Sequence, residues 1–302
     1  MVFLLVAGSP SELSAQESFL ALEAHSGQVL ASFEADQRKP ISSLTHIATA
    51  KVVLDWARFS RASLTQLASV PTEMEGVTGP NPMGLRAGDQ IQLREALYSM
   101  LLGSDAVSAQ TLASFVGTSI AQRSGGRSTE AFVREMNLLA QSLEMRKTRF
   151  FNAHGSDGGR PNLSTAADMA RLCVYACRDQ GFLFYVKQKA RTVSFSRGGS
   201  ALGFKVRNAN PLLGRSGIRG IKSASSPQAG PCLAVTAEKS PAVTALPDGG
   251  SLLTQRRLVV VVLRSGDREG RGLSLIQEGW ARFEAGRKSG QVVGGQILVP
   301  AP

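Results

Sequence analysis

The sequence is poor in cysteine, in aromatic residues and in long apolar runs, and each shortage excludes a class of protein. Three cysteines in 302 residues cannot build a disulfide framework, and no Cys-x-x-Cys pair is present to hold a structural zinc ion. No apolar stretch approaches the roughly 18 residues of a membrane-spanning helix, so we expect no integral membrane anchor. Aromatic residues form 6% of the chain, which leaves few stacking platforms for single-stranded nucleic acid.

Acidic residues are also in the minority: 34 Lys and Arg stand against 23 Asp and Glu, a formal net charge of +11. The basic residues are spread along the whole chain, and their densest run, Arg146, Lys147 and Arg149, is too short for a nucleic-acid-binding arm. A diffuse positive field suits an anionic polymer such as peptidoglycan or nucleic acid, a membrane surface, or solubility alone. With 43% hydrophobic and 19% charged residues, the composition is that of a globular chain.

The residue pattern predicts strands near both ends of the chain and helices between them. Two apolar-rich runs within Glu17–Glu34 flank Ser26-Gly27 and predict a β-hairpin, because glycine supplies the positive φ of a tight turn. Apolar spacing predicts helices over Ile41–Phe59, Leu93–Leu102, Ala106–Val116, Thr129–Leu143, Ser164–Cys177 and Gly272–Phe283. Strands are predicted over Arg191–Phe195, Ile218–Ser223, Cys232–Glu238 and Arg257–Arg264. This order implies one sheet built from both chain ends, with a helical insert.

The first long predicted helix carries a serine and a histidine three residues apart. Ser43 lies near its N-terminus, where free backbone N–H groups and the helix dipole favour developing negative charge. His46 shares the same helix face and can approach the Ser43 hydroxyl. By itself this Ser-x-x-His spacing fits a capping serine and a packed histidine equally well.

The wider chain resembles the penicillin-binding D-alanyl-D-alanine carboxypeptidases, serine peptidase family S11. The Ser26-Gly27 turn and Pro40–His46 are similar to that family's opening hairpin and its Pro-Ala-Ser-Leu-Thr-Lys segment. Further similar segments follow in the family's order: Met83–Asp89, Leu93–Ser104, Glu135–Met145, Phe151–Gly155, Ser164–Met169, Asn208–Leu213 and Gly220–Leu233. The resemblance implies an α/β (α+β) fold of the β-lactamase/transpeptidase type, with an antiparallel sheet flanked by helices and an inserted helical lobe.

The same resemblance implies an acyl-transfer site that uses no cofactor and no metal. Carried over by position, Ser43 is the nucleophile, His46 holds the place of the general base, and Ser104 relays a proton. Lys222 with Ser223 grips the substrate's terminal carboxylate. The oxyanion hole is formed by the backbone N–H groups of Ser43 and Ser225.

Three positions depart from the family's motifs, and the largest departure concerns the base. His46 replaces a lysine, and a serine hydroxyl without a base is a poor nucleophile. Ala106 replaces an asparagine, which removes a side-chain amide that both donates and accepts hydrogen bonds. Ala224 replaces a glycine and adds a methyl group where substrate passes close to the strand. We therefore expect an impaired or inactive enzyme, with weak catalysis through a Ser43–His46 dyad as the nearest alternative.

Two other classes of function stay open on the sequence. One is a catalytically silent homologue that binds peptidoglycan or regulates; the other is a basic module that binds surfaces or nucleic acid. The expected partners are peptidoglycan stem peptides and β-lactams rather than nucleic acid. The expected location is the periplasm or envelope of a bacterium.

The expected domain organisation has three parts. Residues 1–16 are a signal remnant or a disordered tail, residues 17–285 are the carboxypeptidase-like domain, and residues 286–302 are a short tail. Two further features are interpreted as structural. His154 is expected to support a turn by hydrogen bonding. Cys173 and Cys177, four residues apart on a helix, are expected to be buried packing residues rather than a disulfide or a metal-binding pair.

Overall fold

The computed structural model describes residues 16–74, 76–245 and 251–289. The helices are α1 (Thr45–Ser60), α2 (Leu93–Gly103), α3 (Ala106–Ser124), α4 (Ser128–Ser142), α5 (Ala166–Cys177), α6 (Gln180–Val186) and α7 (Arg268–Ser289). The strands are β1 (Ser18–Glu23), β2 (Val29–Phe33), β3 (Lys39–Pro40), β4 (Leu67–Ser69), β5 (Gln90–Gln92), β6 (Leu163–Ser164), β7 (Ala190–Arg197), β8 (Ser200–Arg207), β9 (Ile218–Ala224), β10 (Cys232–Ala245) and β11 (Ser251–Leu263). The predicted tails fall almost entirely on residues 1–15 and 290–302, outside the described residues.

The main sheet joins the two ends of the chain, as predicted. Its strand order is β2-β1-β11-β10-β9, and all neighbouring pairs are antiparallel. Strand β1 pairs with β11 over its whole length, from Ser18 opposite Leu263 to Glu23 opposite Leu258. The first and last strands of the chain, β1 and β11, therefore pair with each other inside the sheet. The glycine of the predicted hairpin, Gly27, has a φ of +74° between β1 and β2.

Helices cover both faces of this sheet, and the side chains of β11 point alternately towards the helices on each face. Val260 and Val262 pack with Trp280 of α7 on one face. Val259 and Val261 belong to the larger core that includes α1 and α5 on the other. Because successive side chains of a strand point to opposite faces, one continuous valine run serves both cores. This arrangement confirms the predicted α/β fold, with an antiparallel sheet between helices.

The helical lobe beside the sheet consists of α2, α3 and α4. Helices α3 and α4 approach very closely at Gly117, where an added Cβ would lie 2.0 Å from the Ser128 carbonyl oxygen. A second sheet, in the order β4-β5-β7-β8, packs against α2. Among the described helices none is long and apolar enough to cross a membrane.

Several predicted boundaries were wrong for local reasons. The helix predicted from Ile41 begins at Thr45, because Ser42 has a φ of +47° and the chain makes a 3₁₀ turn over Ser42–Leu44 first. Helix α6 and strands β4, β5 and β8 were not predicted, since elements this short or this exposed carry little apolar periodicity. Strands β10 and β11 extend beyond the predicted ranges as a two-stranded ribbon. Helix α7 also exceeds its predicted range at both ends.

Candidate active site

Ser43 lies in the 3₁₀ turn that connects β3 to α1. The turn is clamped from two sides: the Thr45 hydroxyl donates to the Ser42 carbonyl oxygen at 2.7 Å, and Gly155 packs directly against that carbonyl. An added Cβ on Gly155, whose φ is +68°, would lie 2.3 Å from the Ser42 oxygen, so this approach requires glycine. The Ser43 side chain is half-buried. Its hydroxyl makes no hydrogen bond to any other residue that the structure describes.

His46 is fully buried one helical turn after Ser43, and both of its ring nitrogens face backbone carbonyls. Nδ1 lies 3.1 Å from the Met100 oxygen, and Nε2 lies 2.9 Å from the His154 oxygen. A neutral imidazole has one N–H and can donate to one of these carbonyls only. Burial, reinforced by the nearby charge of Lys222, lowers the pKa of His46 to about 3. The ring is therefore neutral at physiological pH, and it makes no hydrogen bond to Ser43.

Lys222 and Ser104 form a buried pair in direct contact. The Lys222 ammonium, on β9, donates to Ser104 Oγ at 2.6 Å and to the Leu101 carbonyl at 3.0 Å. Within the described ranges no carboxylate pairs with this ammonium, and the side chain is 1% exposed. Burial lowers the pKa of Lys222 to about 7. Ser104 ends α2 in a left-handed conformation, with a φ of +59°, and this turns its side chain out of the helix.

Two side chains from different elements reach the C-terminus of α2. His46 of α1 contacts the Met100 carbonyl, and Lys222 of β9 bonds to the next one, Leu101. The last carbonyls of a helix lack partners within the helix and carry partial negative charge. Lys222 therefore stabilises the helix end that presents Ser104, and His46 packs against the same end.

Asp105 and Ala106 form the turn between α2 and α3. The buried carboxylate of Asp105 accepts hydrogen bonds from the Ser99 hydroxyl at 2.7 Å, the Ser108 hydroxyl at 2.9 Å and the Ser108 N–H at 3.0 Å. Burial raises the pKa of Asp105, while these three bonds oppose the shift. Ala106 donates its backbone N–H to the Pro80 carbonyl at 2.8 Å. Its methyl group cannot replace the hydrogen bonds of an asparagine amide.

The end of β9 is fixed by contacts on both sides. The Ser223 hydroxyl donates to the Ala209 carbonyl at 2.8 Å and is buried. The Ala224 carbonyl accepts a hydrogen bond from Arg268 of α7 at 2.7 Å. Ser225 follows the strand and is exposed. Residues 223 and 224 are therefore held in place by neighbouring elements, and the Ser223 hydroxyl donates its hydrogen bond inside the protein.

The structure brings some of the predicted residues together and leaves others apart. Ser104 and Lys222 are in contact, and the turn that carries Ser43 packs against β9. His46 binds carbonyls instead of Ser43. The sequence analysis did not predict that backbone carbonyls belong to the site, namely those of Met100, Leu101 and His154. Side-chain motifs carry no information about backbone hydrogen-bond partners. His154 itself behaves as the predicted support: its Nδ1 accepts the Ser156 N–H at 3.2 Å. Among the described residues, no group of His, Cys, Asp and Glu could hold a metal ion.

Comparisons with known proteins point to one family. A family model for the D-alanyl-D-alanine carboxypeptidases, Peptidase S11, matches residues 6–245. The D-alanyl-D-alanine carboxypeptidase of Streptomyces sp. (strain K15) is 29% identical over 222 residues, which are 72% of this chain and 75% of that protein. The D-alanyl-D-alanine endopeptidase of Pseudomonas aeruginosa is 32% identical over 231 residues, 75% of this chain and 69% of that protein. A solved lysine-to-histidine mutant of the Streptomyces K15 DD-transpeptidase has a TM-score of 0.73 at 28% identity, covering 90% of this chain and 100% of that one.

The fold and these matches define a penicillin-binding type of serine peptidase. The chain belongs to the D-alanyl-D-alanine carboxypeptidase family, Peptidase S11. The resemblance inferred from the sequence motifs is thereby confirmed.

Proposed function

We propose that this chain recognises the D-Ala-D-Ala end of peptidoglycan stem peptides and forms an acyl-enzyme on Ser43 only slowly. One observation carries the proposal: both ring nitrogens of His46 face carbonyls, while Lys222 and Ser104 are in contact. The arrangement that binds substrate is therefore better preserved than the one that activates the nucleophile. Membership of the carboxypeptidase family supports the substrate class.

Recognition is assigned to the buried ammonium of Lys222. It has no carboxylate partner in the described part of the chain, and two of its three N–H groups already bond to Ser104 and Leu101. The C-terminal carboxylate of a stem peptide supplies the missing negative charge. A carboxylate beside an ammonium favours the charged form, so binding opposes the burial that lowers the pKa of Lys222.

Slow acylation is expected because no base among the residues that the structure describes makes a hydrogen bond to the Ser43 hydroxyl. In the acylation step the Ser43 oxygen bonds to the carbonyl carbon, the hydroxyl proton must leave, and the amine of the terminal D-Ala departs with a proton. General-base assistance of this kind is typically worth about 10²–10⁴-fold in rate. His46 is neutral, yet its lone pair is directed at a backbone carbonyl and not at the Ser43 proton. Ala106 further removes an amide that would hold the substrate.

The proposal is tested by measuring binding and acylation separately on one preparation. Calorimetric titration with a synthetic peptide ending in D-Ala-D-Ala should show binding that Lys222→Met removes. Intact mass after incubation with a labelled penicillin should show a slow adduct that Ser43→Ala abolishes. Binding without any adduct would instead establish the silent peptidoglycan-binding homologue. Absence of both would refute the proposal.

The proposed location is the bacterial cell envelope, since that is where peptidoglycan stem peptides are found. Fractionation of cells that express the gene from its own genomic context tests this location. The protein is expected in the envelope or periplasmic fraction. Recovery from the cytoplasm alone would contradict it.

A further inference from the structure

A hydrogen-bonded bridge joins two loops just beyond the end of β9. The Asp157 carboxylate, in the loop between α4 and β6, accepts the backbone N–H of Gln228 at 3.0 Å. The side-chain amide of Gln228 lies 3.4 Å from the Asp157 carbonyl oxygen. The two residues are 71 positions apart in the chain, so the bridge is a tertiary contact and not part of a local turn. Asp157 is half-buried and Gln228 is exposed.

The loop that carries Asp157 is fixed against the turn that carries Ser43. An added Cβ on Gly155 would lie only 3.1 Å from the Ser43 backbone nitrogen, so the two segments are in direct contact. The Gly155 N–H also donates to the side chain of Asn152 at 2.7 Å, which holds the loop in shape. Asp157 follows two residues later and therefore stands on one wall beside the nucleophile.

The turn that carries Gln228 is held by contacts of its own on the opposite wall. Arg264 donates to the Gln228 carbonyl at 2.7 Å. Within the turn, the N–H groups of Gly230 and Ala229 donate to the Ser226 carbonyl at 2.9 Å and to its hydroxyl at 3.2 Å. Because the Ser43 turn packs against β9 as well, the bridge links the two walls that flank this turn.

The bridge lies in the direction that the acyl part of a bound peptide takes. The proposed function assigns the terminal carboxylate to Lys222 and the scissile carbonyl to the backbone N–H groups of Ser43 and Ser225. A peptide extended along β9 in this direction continues from Ser225 towards Gln228. Three residues of extended chain span at most about 10 Å, so the bridge lies within about that distance of Ser225.

We infer that the Asp157–Gln228 bridge limits the length of the acyl donor that the serine site accepts. A donor that ends close to the penultimate D-Ala fits beside the closed bridge, whereas a donor with a further long side chain has to open it. Opening breaks a hydrogen bond to a charged group, and this cost falls only on the longer donor. This role rests on the proposed function, because it requires the D-Ala-D-Ala end to lie along β9.

The test compares two variants of the same residue with the same net charge. Asp157→Ala removes the acceptor of the bridge, and Asp157→Asn keeps an oxygen that accepts the Gln228 N–H. Calorimetry measures the affinity of each protein for N-acetyl-D-Ala-D-Ala and for diacetyl-L-Lys-D-Ala-D-Ala, which adds one residue with a long side chain. Amide hydrogen exchange over residues 226–230 reports on the bridge without any ligand.

Asp157→Ala should raise the affinity for the longer peptide about tenfold relative to the shorter one, a change of about 1.4 kcal/mol. It should also speed exchange over residues 226–230, and Asp157→Asn should change neither quantity. An unchanged affinity ratio in Asp157→Ala, with both peptides still bound, would overturn the inference and leave the proposed function intact. Unchanged exchange in Asp157→Ala would also overturn it, because the bridge would then be absent in solution. If neither peptide binds any of the three proteins, the proposed function fails and the inference fails with it.

Discussion

Replacing His46 by glutamine should reduce the loss of stability that acid causes. The folded-state pKa of His46 is lowered to about 3, whereas an exposed histidine has a pKa of about 6.5. Between about pH 3 and pH 6.5 the histidine is protonated in the unfolded chain but neutral in the folded chain. The free energy of unfolding therefore falls as the pH decreases through this range. Above about pH 6.5 the loss is absent, because His46 is then neutral in both states.

The size of the effect follows from the gap between the two pKa values. One pKa unit corresponds to about 1.36 kcal/mol, so a gap of about 3.5 units sets a ceiling of about 5 kcal/mol, of which about 3 kcal/mol is reached by pH 4. Glutamine keeps one amide donor for the His154 carbonyl but cannot titrate. At pH 7 a neutral His46 donates to one carbonyl only, and glutamine keeps that donor, so the free energy of unfolding should change by no more than about 1 kcal/mol.

Urea unfolding at pH 7 and at pH 4 measures this directly. Between pH 7 and pH 4 the free energy of unfolding of the unmodified chain should fall by about 3 kcal/mol more than that of His46→Gln. The control is Thr49→Val, one turn further along α1, which removes a hydroxyl bond to the Ala153 carbonyl at 2.7 Å. That variant should have a lower free energy of unfolding at both pH values. Between pH 7 and pH 4 it should lose as much of that free energy as the unmodified chain does. If the free energy of unfolding of His46→Gln falls between pH 7 and pH 4 by as much as that of the unmodified chain, the reasoning is refuted.

Three further perturbations test the site around Ser43. Gly155→Ala forces a Cβ to 2.3 Å from the Ser42 oxygen at a φ of +68°, so the melting temperature should fall by roughly 5 °C or more, whereas Gly203→Ala, in open space, should leave it unchanged. Affinity for a D-Ala-D-Ala peptide should decrease, by up to about tenfold per pH unit, as the pH rises above about 7 and Lys222 loses its proton; calorimetry showing a flat profile would contradict this role. Asp105→Asn should lower the free energy of unfolding by about 1–3 kcal/mol in urea titrations, because one amide oxygen cannot accept all three bonds that the carboxylate accepts.

The sequence predicts the fold well because the strongest patterns belong to the most buried elements. The run that became β11 is continuous and β-branched, as expected for the centre of a sheet covered on both faces. The hairpin was predicted from its turn, because Gly27 occupies a left-handed position that glycine favours. By contrast, β8 is exposed along almost its whole length, so no apolar alternation marked it.

The candidate site could be predicted only as far as side chains determine it. The motif order indicated Ser43, Ser104 and Lys222, and the last two are in contact. The orientation of His46 could not be predicted, because it depends on the carbonyls of Met100 and His154, which are 54 and 108 residues away in the chain. Such contacts arise from the packing of α1 against α2 and against the segment between α4 and α5 that carries His154, and they have no local signal.

The most direct test of the central claim is the rate of acylation at Ser43 after the missing groups are restored. His46→Lys/Ala106→Asn reintroduces a side-chain base and the substrate amide, and the two changes are combined because residues that act as a unit are non-additive. Intact mass with a labelled penicillin should show acylation about 10²–10⁴-fold faster than in the unmodified chain, abolished by adding Ser43→Ala. Rapid stoichiometric acylation of the unmodified chain at Ser43 would contradict the claim that position 46 limits the chemistry.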